Sequence, residues 1–431
     1  MFPFLHVPMD VAQQAYFQPR IEERIRMGSD LRSAETEVNP LLRYDFIWAG
    51  GQNHFVALYN PRFVYTNTFS TPFSRGEIDP NEVSLETINK TDPNDTPISF
   101  LNNGGAGLEI VKRRYRISLY QFAAYGPITT TALLVQAPWD GAGPPPDPQP
   151  IVPSTIAGRF TLLFLQSTLA VPIKLTPRVA LTPSIVYNAF GGATSASRGV
   201  IALTSGPGAN LALEAQATRD DRFTTIVGGG RITTDFEGDR QGAVIYRAEA
   251  SQAWRHWYTR NVSTELSGGA SVGGDQISGF AVYGIGSASL IYDSYPLFRL
   301  PPGAAPQCGP PGHGPRVQIG ITAKALPWID LFSGELEPRA VGTAATNLTF
   351  DRTTLRLAAS TARVIPNDRS VARYQIYLGE TSVRYGITNT FFADLGMRFG
   401  YQDFSNAIRS NQLTQATVFV ALQFLPLPAR F

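Results

Sequence analysis

Near the end of the chain the apolar and polar positions alternate with a period of two. From Phe391 the odd positions read Phe391, Ala393, Leu395, Met397, Phe399, Tyr401, and the even ones Phe392, Asp394, Gly396, Arg398, Gly400, Gln402. The run is longer than the usual strand of a soluble sheet. A polar connection from Ser405 to Gln412 follows. Then Val418, Val420, Leu422 and Phe424 alternate with Thr417, Phe419, Ala421 and Gln423. One face is apolar and ends in aromatics; the other is largely small, polar or charged.

The same pattern recurs from the start of the chain. Around Pro40 one face carries Val38, Pro40, Leu42, Tyr44, Phe46 and Trp48, against Arg43 and Asp45. Around Pro61 it carries Phe55, Ala57, Tyr59, Pro61, Phe63 and Tyr65, against His54, Asn60 and Arg62. The first strand is less regular, because Glu23 falls on the face of Phe17, Ile21, Ile25 and Met27. Pro19, Pro40 and Pro61 recur at 21-residue spacing. Proline donates nothing to a ladder, so each strand should bulge or kink there. Two readings stay open: three unrelated edge prolines, or a deliberate bend or weak seam in one wall.

Polar, proline-rich stretches at 67–107 and 138–157 read as loops, the second containing Pro144-Pro145-Pro146. Between them a strand is expected over Val111–Tyr125, with Arg114 and Arg116 on its polar face. A tight turn at Tyr125-Gly126-Pro127 should lead into Ile128–Gln136. Further strands are expected near 159–175, 178–190, 199–217, 222–234, 242–257, 261–273 and 278–293. Beyond a loop at 295–315 come 316–328, 336–348, 353–365, 372–387 (with a bulge at Gly379), 390–404 and 414–425. Counting from residue 16 gives about eighteen strands, sixteen being the alternative, so residues 16–425 form one all-β unit. Residues 1–15 are left as an extension and 426–431 as a tail.

This layout resembles the transmembrane antiparallel up-and-down β-barrels of Gram-negative outer membranes. The closing hairpin resembles their last strands, which end in an aromatic read by the assembly machinery; Phe424 and the terminal Phe431 both qualify. Membrane lipid and that machinery are then the implied partners. An even count puts both termini at the periplasmic end. Loops 67–107 and 138–157 then lie at the other end, and Gly50-Gly51, Gly126-Pro127 and the 295–315 loop beside the termini. Charged residues are 16% of the chain, below the ~25% of soluble domains. A helical membrane protein would need ~20 consecutive apolar residues, and none are present. Net charge is +2, which gives no case for nucleic acid. Residues 1–10 do not read as a signal peptide, so a leader is expected to be missing or the start displaced.

Catalytic, cofactor and metal chemistry finds no foothold. His6, His54, His256 and His313 lack metal spacing, and Cys308 is the single cysteine. Outer-membrane phospholipases pair a histidine with a serine nearby, and neither His54 nor His256 has a serine two residues on. Gly228-Gly229-Gly230 precedes no helix, so it is no phosphate loop. No enzyme is therefore expected. The informative surface is the lumen: Arg20, Glu22, Arg24, Arg26, Arg43, Arg62, Arg114, Arg116, Arg247, Glu249, Arg384, Asp394 and Arg398, with Asp45, are assigned inward. An arginine excess there points to an anion-favouring passage; cross-strand pairing with acids points instead to a plugged wall.

A narrower resemblance is to the eighteen-stranded myxobacterial barrels that export polysaccharide. It rests on the early Pro-Arg strands, on Tyr246-Arg247-Ala248-Glu249-Ala250 with the Trp254–Tyr258 stretch, and on Lys324–Arg339. It implies a wide channel working with periplasmic export or envelope proteins. Three functions stay open: a porin-like channel for polar anions or polysaccharide, a structural, motility- or adhesion-linked barrel with a closed lumen, and a carrier of apolar compounds. The last needs an apolar lumen and an N-terminal plug, and neither is evident.

Overall fold

The computed structural model describes residues 13–28, 32–48, 53–70, 98–127, 161–199, 201–238, 242–275, 279–294, 315–329, 336–364, 373–405, 410–424 and 429–430. Eighteen strands form the wall. Four of them are interrupted at a proline: β1 (Gln13–Gln18 and Arg20–Gly28), β2 (Arg32–Val38 and Leu41–Trp48), β3 (Asn53–Tyr59 and Arg62–Ser70) and β6 (Thr161–Ala170 and Ile173–Thr176). β4 (Ile98–Val111) and β5 (Arg116–Pro127) lie between them. There follow β7 (Val179–Gly192), β8 (Leu203–Gln216), β9 (Asp221–Asp235), β10 (Val244–Trp257), β11 (Val262–Asp275) and β12 (Gly279–Asp293). The wall ends with β13 (Arg316–Ile329), β14 (Leu336–Phe350), β15 (Thr353–Val364), β16 (Arg373–Gly386), β17 (Phe391–Ser405) and β18 (Ser410–Phe424). Each pairs antiparallel with the next, and Arg20–Gly28 of β1 pairs with β18, which closes the barrel. Closure leaves no sheet edge, as a backbone surrounded by hydrocarbon requires.

The period of two sets the two faces. Ile21, Ile25, Leu42, Phe46, Tyr59, Phe63, Leu395, Met397, Val418 and Leu422 are exposed on the outside, with Tyr44 and Phe391 half-buried among them. Asp394 and Arg24 on the opposite face are buried. Glu23 does point outward, where its carboxylate accepts from Thr36 Oγ1 at 2.9 Å.

The outermost described residues, Gln13 and Arg430, and the turns at 112–115, 177–178, 217–220, 258–261, 351–352 and 387–390 share one rim. At the last but one, Asp351 takes a left-handed φ of 49° in a two-residue hairpin turn. The chain between Asp293 and Arg316 also leaves and returns at this rim. The connections Ser70–Ile98 and Pro127–Thr161 spring from the opposite rim. Gly50-Gly51, Cys308, His6, His313, Phe431, most of the expected loops and the strand expected over Ile128–Gln136 lie outside the described residues.

Several expectations are corrected. Ile98–Val111 is a strand rather than the end of a loop, and the tight turn falls at Lys112–Tyr115. Gly126-Pro127 is no turn: both residues continue β5 opposite Leu162 and Thr161, at the rim away from the termini. Glycine is needed there because φ is 153° and a Cβ would lie 2.4 Å from the Phe100 carbonyl oxygen. Register runs through Gly379 without a shift on either side, so β16 has no bulge. The prolines at 19, 40 and 61 interrupt the ladder without slipping the register. Strand structure begins at Gln13, and Ala429–Arg430 returns as a short strand, β19, against Gln14 and Ala15.

Candidate functional site: the charged lumen face

The inner face of β1–β3 and β15–β18 carries a continuous charge network. Arg384 and Asp394 oppose each other in the β16–β17 register, and Arg384 donates Nε to Oδ1 at 2.6 Å and Nη2 to Oδ2 at 2.8 Å. The same Nη2 reaches Gln423 Oε1 at 2.8 Å. Across the closing seam Arg20 donates to Asp394 at 3.3 Å, and within β1 it donates to Glu22 at 2.7 Å. Further from the terminal rim, Arg398 donates to Glu380 at 3.2 Å and lies 3.6 Å from Glu22, its guanidinium 4.3 Å from the centre of the Phe419 ring. Arg24, with no side-chain exposure, meets Glu22 at 3.3 Å, Glu35 at 3.9 Å and Glu37 in direct contact. Arg62 completes the run with a two-pronged bond to Glu37 at 2.6 and 2.7 Å.

With Arg356, opposite Asn347 and Ser382 on the same face, six guanidiniums meet five carboxylates among the described side chains of this cluster. The sequence reading collected the arginines but missed Glu35, Glu37, Glu380 and Arg356, so its arginine excess shrinks to one charge in this cluster. The remaining candidates lie elsewhere. Arg43 binds Asp45 at 2.8 and 3.0 Å, with His54 3.2 Å from the same carboxylate. Arg116 lies 3.6 Å from Glu109, which also accepts from Tyr120 Oη at 2.9 Å. Arg247 binds Glu249 and donates to Ser271 at 3.3 Å. Arg114 is exposed in the 112–115 turn, at the rim rather than along the wall. Of Arg26 only the backbone is described.

The opposite inner face, on β8–β12, sets small residues around sparser charge: Gly228 and Ser271 flank Glu249, Ser251 pairs with Gly269, and Ser267 with Ser287. Ser267 and Ser287 bond across it at 2.7 Å. Near the terminal rim this side gains Trp257, flanked by Arg222 and Arg255 at 5.4 and 5.8 Å. His256 faces Asp221 at 2.8 Å rather than a serine.

One hairpin leaves the wall. β12–β13 pairing ends at Gly286↔Ala325, just short of the opposed pair Pro327 and Pro338. Past the prolines the tip leans inward. Tyr283 Oη donates to the Leu336 carbonyl at 3.1 Å, and a Cβ on Gly273 would lie 2.3 Å from Leu336 Cδ2. Leu336 on β14 would sit three strands from Gly273, roughly 14 Å, if the hairpin stayed in the wall. On this tip Trp328 stacks 4.8 Å from the Arg339 guanidinium.

No family model matches the sequence, and no curated protein matches it. Among solved structures the chain is similar to Pseudomonas aeruginosa OccK11 (OpdR), at 10% identity and TM-score 0.44 over 98% of this chain and 100% of that one. It is also similar to OpdQ, at 9% and 0.44 over 96% and 99%, and to OccK7 (OpdD), at 10% and 0.44 over 96% and 99%.

Proposed function

We propose that this chain is a channel of a Gram-negative outer membrane that passes small polar anions along its charged face. One observation carries the reading: guanidiniums line one side of the lumen from the terminal rim to mid-height, facing a side where charge is sparser. A passing carboxylate or phosphate can exchange Arg20 for Arg384, because these two guanidiniums share Asp394 and keep part of their surface open. Low-dielectric walls focus that field into the passage. No catalytic role is assigned to the chain in this reading, and its surroundings are membrane lipid and the assembly machinery that inserted it.

The polysaccharide passage and its periplasmic export partners are less well supported. A wide polymer needs an open bore, whereas Arg24 and Glu35 are buried on the inner face and the β13–β14 tip takes up lumen space. The same burial favours, as a second reading, a closed barrel that binds partners through its loops. Planar-bilayer recording of the purified protein separates the two. The channel reading expects steps of conductance with anions preferred over cations. A silent bilayer from correctly folded protein moves the assignment to the closed barrel.

A further inference from the structure

Pro19, Pro40 and Pro61 stand side by side. Gln18↔Leu41 and Ile21↔Val38 place Pro19 opposite Pro40, and Leu42↔Tyr59 and Val38↔Phe63 place Pro40 opposite Pro61. The ladder parity fixes what each proline removes. Arg20 and Asn39 exchange both of their backbone bonds, so the next residue, Pro40, turns its backbone toward β3. Asn60 donates to Asn103 on β4, so Pro61 turns its backbone toward β2. Pro40 and Pro61 therefore occupy a position where two N–H···O bonds should be exchanged, and neither has an N–H. The β2–β3 ladder is left without a bond from Val38↔Phe63 to Leu42↔Tyr59, about 14 Å of wall at strand rise. The outer side of this gap is apolar and exposed: Val38, Leu42, Tyr59 and Phe63.

On the lumen side one side-chain bridge spans it. Arg62, which follows Pro61, reaches diagonally across to Glu37 with both prongs, and Glu37 is held in turn by Arg24 of β1. We propose that the aligned prolines make a lateral gap in the wall and that the Glu37–Arg62 bridge locks it from inside. The wall at this place is then held by lumen charge instead of backbone. In this role Glu37 and Arg62 are positioning residues, and the inference stands on wall geometry, whatever the lumen passes.

The test is a cycle between the bridge and the prolines. Pro40→Val with Pro61→Val restores both donors and should raise the unfolding midpoint of the detergent-solubilised barrel. Glu37→Gln should lower the midpoint by several degrees in the native background and by less than half as much once the prolines are replaced. Equal shifts in the two backgrounds overturn the proposal. Should the valine variant fail to insert, hydrogen exchange of the native protein against Glu37→Gln decides it. Faster exchange confined to the amides of Val38, Leu42, Tyr59 and Phe63 supports the lock, and a uniform or absent change overturns it.

Discussion

Asp394 ties together three strands of the lumen face, and its replacement tests both the energetics and the function. It is 5% exposed and takes bonds from two strands besides its own, through Arg384 and Arg20. Asp394→Asn keeps the shape and removes the charge. Stripping one partner from a buried ion pair costs about 3–5 kcal/mol. Here the two guanidiniums keep 20% and 24% of their side-chain surface, so water recovers part of that, and about 2–3 kcal/mol is expected. Selectivity moves the other way. A permeant anion passing about 7 Å from the lost charge in water-like surroundings feels about 0.6 kcal/mol less repulsion and a cation loses as much attraction, together roughly eightfold in anion over cation preference. Unfolding of the detergent-solubilised protein reads the first effect, and the reversal potential across a salt gradient reads the second. A folded variant with an unchanged reversal potential would show that no ion path runs beside Asp394. An unchanged unfolding midpoint would refute the pairing argument itself.

Replacing Arg20 and Arg384 together by glutamine should reverse the selectivity shift and destabilise the wall more than Asp394→Asn, because it leaves the Asp394 charge without both guanidinium partners; the same bilayer and unfolding measurements check it. Gly273→Val should push Leu336 off β11 and so displace the β13–β14 tip, changing single-channel conductance with little effect on ion preference. Lipid-attached quenchers should reach labels placed at Leu395 or Met397 but not at Gly396. On intact cells, protease should cut within 71–97 or 128–160 and spare the 351–352 and 387–390 turns; cleavage at those turns alone would invert the orientation.

The strand pattern was legible wherever outward positions carried large apolar side chains. From β7 onward most expected limits fall within two residues of those observed. The signal failed at β4, where Asn102, Asn103, Gly104, Gly105 and Gly107 supply almost no apolar side chain and the segment reads as loop. Its outer and inner surfaces are covered by neighbours instead: the Tyr59 ring lies 3.6 Å from where a Cβ on Gly104 would sit, and Phe122 lies 3.3 Å from that of Gly105. Alternation within one strand cannot report aromatics that belong to the next. The tight turn was misplaced for the same reason, since a Gly-Pro pair marks a turn only when no neighbouring backbone crowds the glycine.

The charged face shows the complementary failure, and it bears most on function. All the arginines of this cluster but Arg356 were found, because each lies on the polar face of an alternating run. Glu35 and Glu37 were missed because the outward residues between and beside them, Ala34 and Thr36, are small or polar, which hides the period over Arg32–Val38. Only the register of β2 against β1 and β3 places both carboxylates under Arg24 and Arg62. A lumen judged from one strand at a time therefore overstates its charge, whereas pairing across strands reveals a nearly neutral network. Selectivity in such a lumen depends less on net charge than on which guanidiniums keep a free edge toward the passage. Arg24, with no side-chain exposure, cannot serve a permeant, while Arg20 and Arg384, still about a fifth exposed, can.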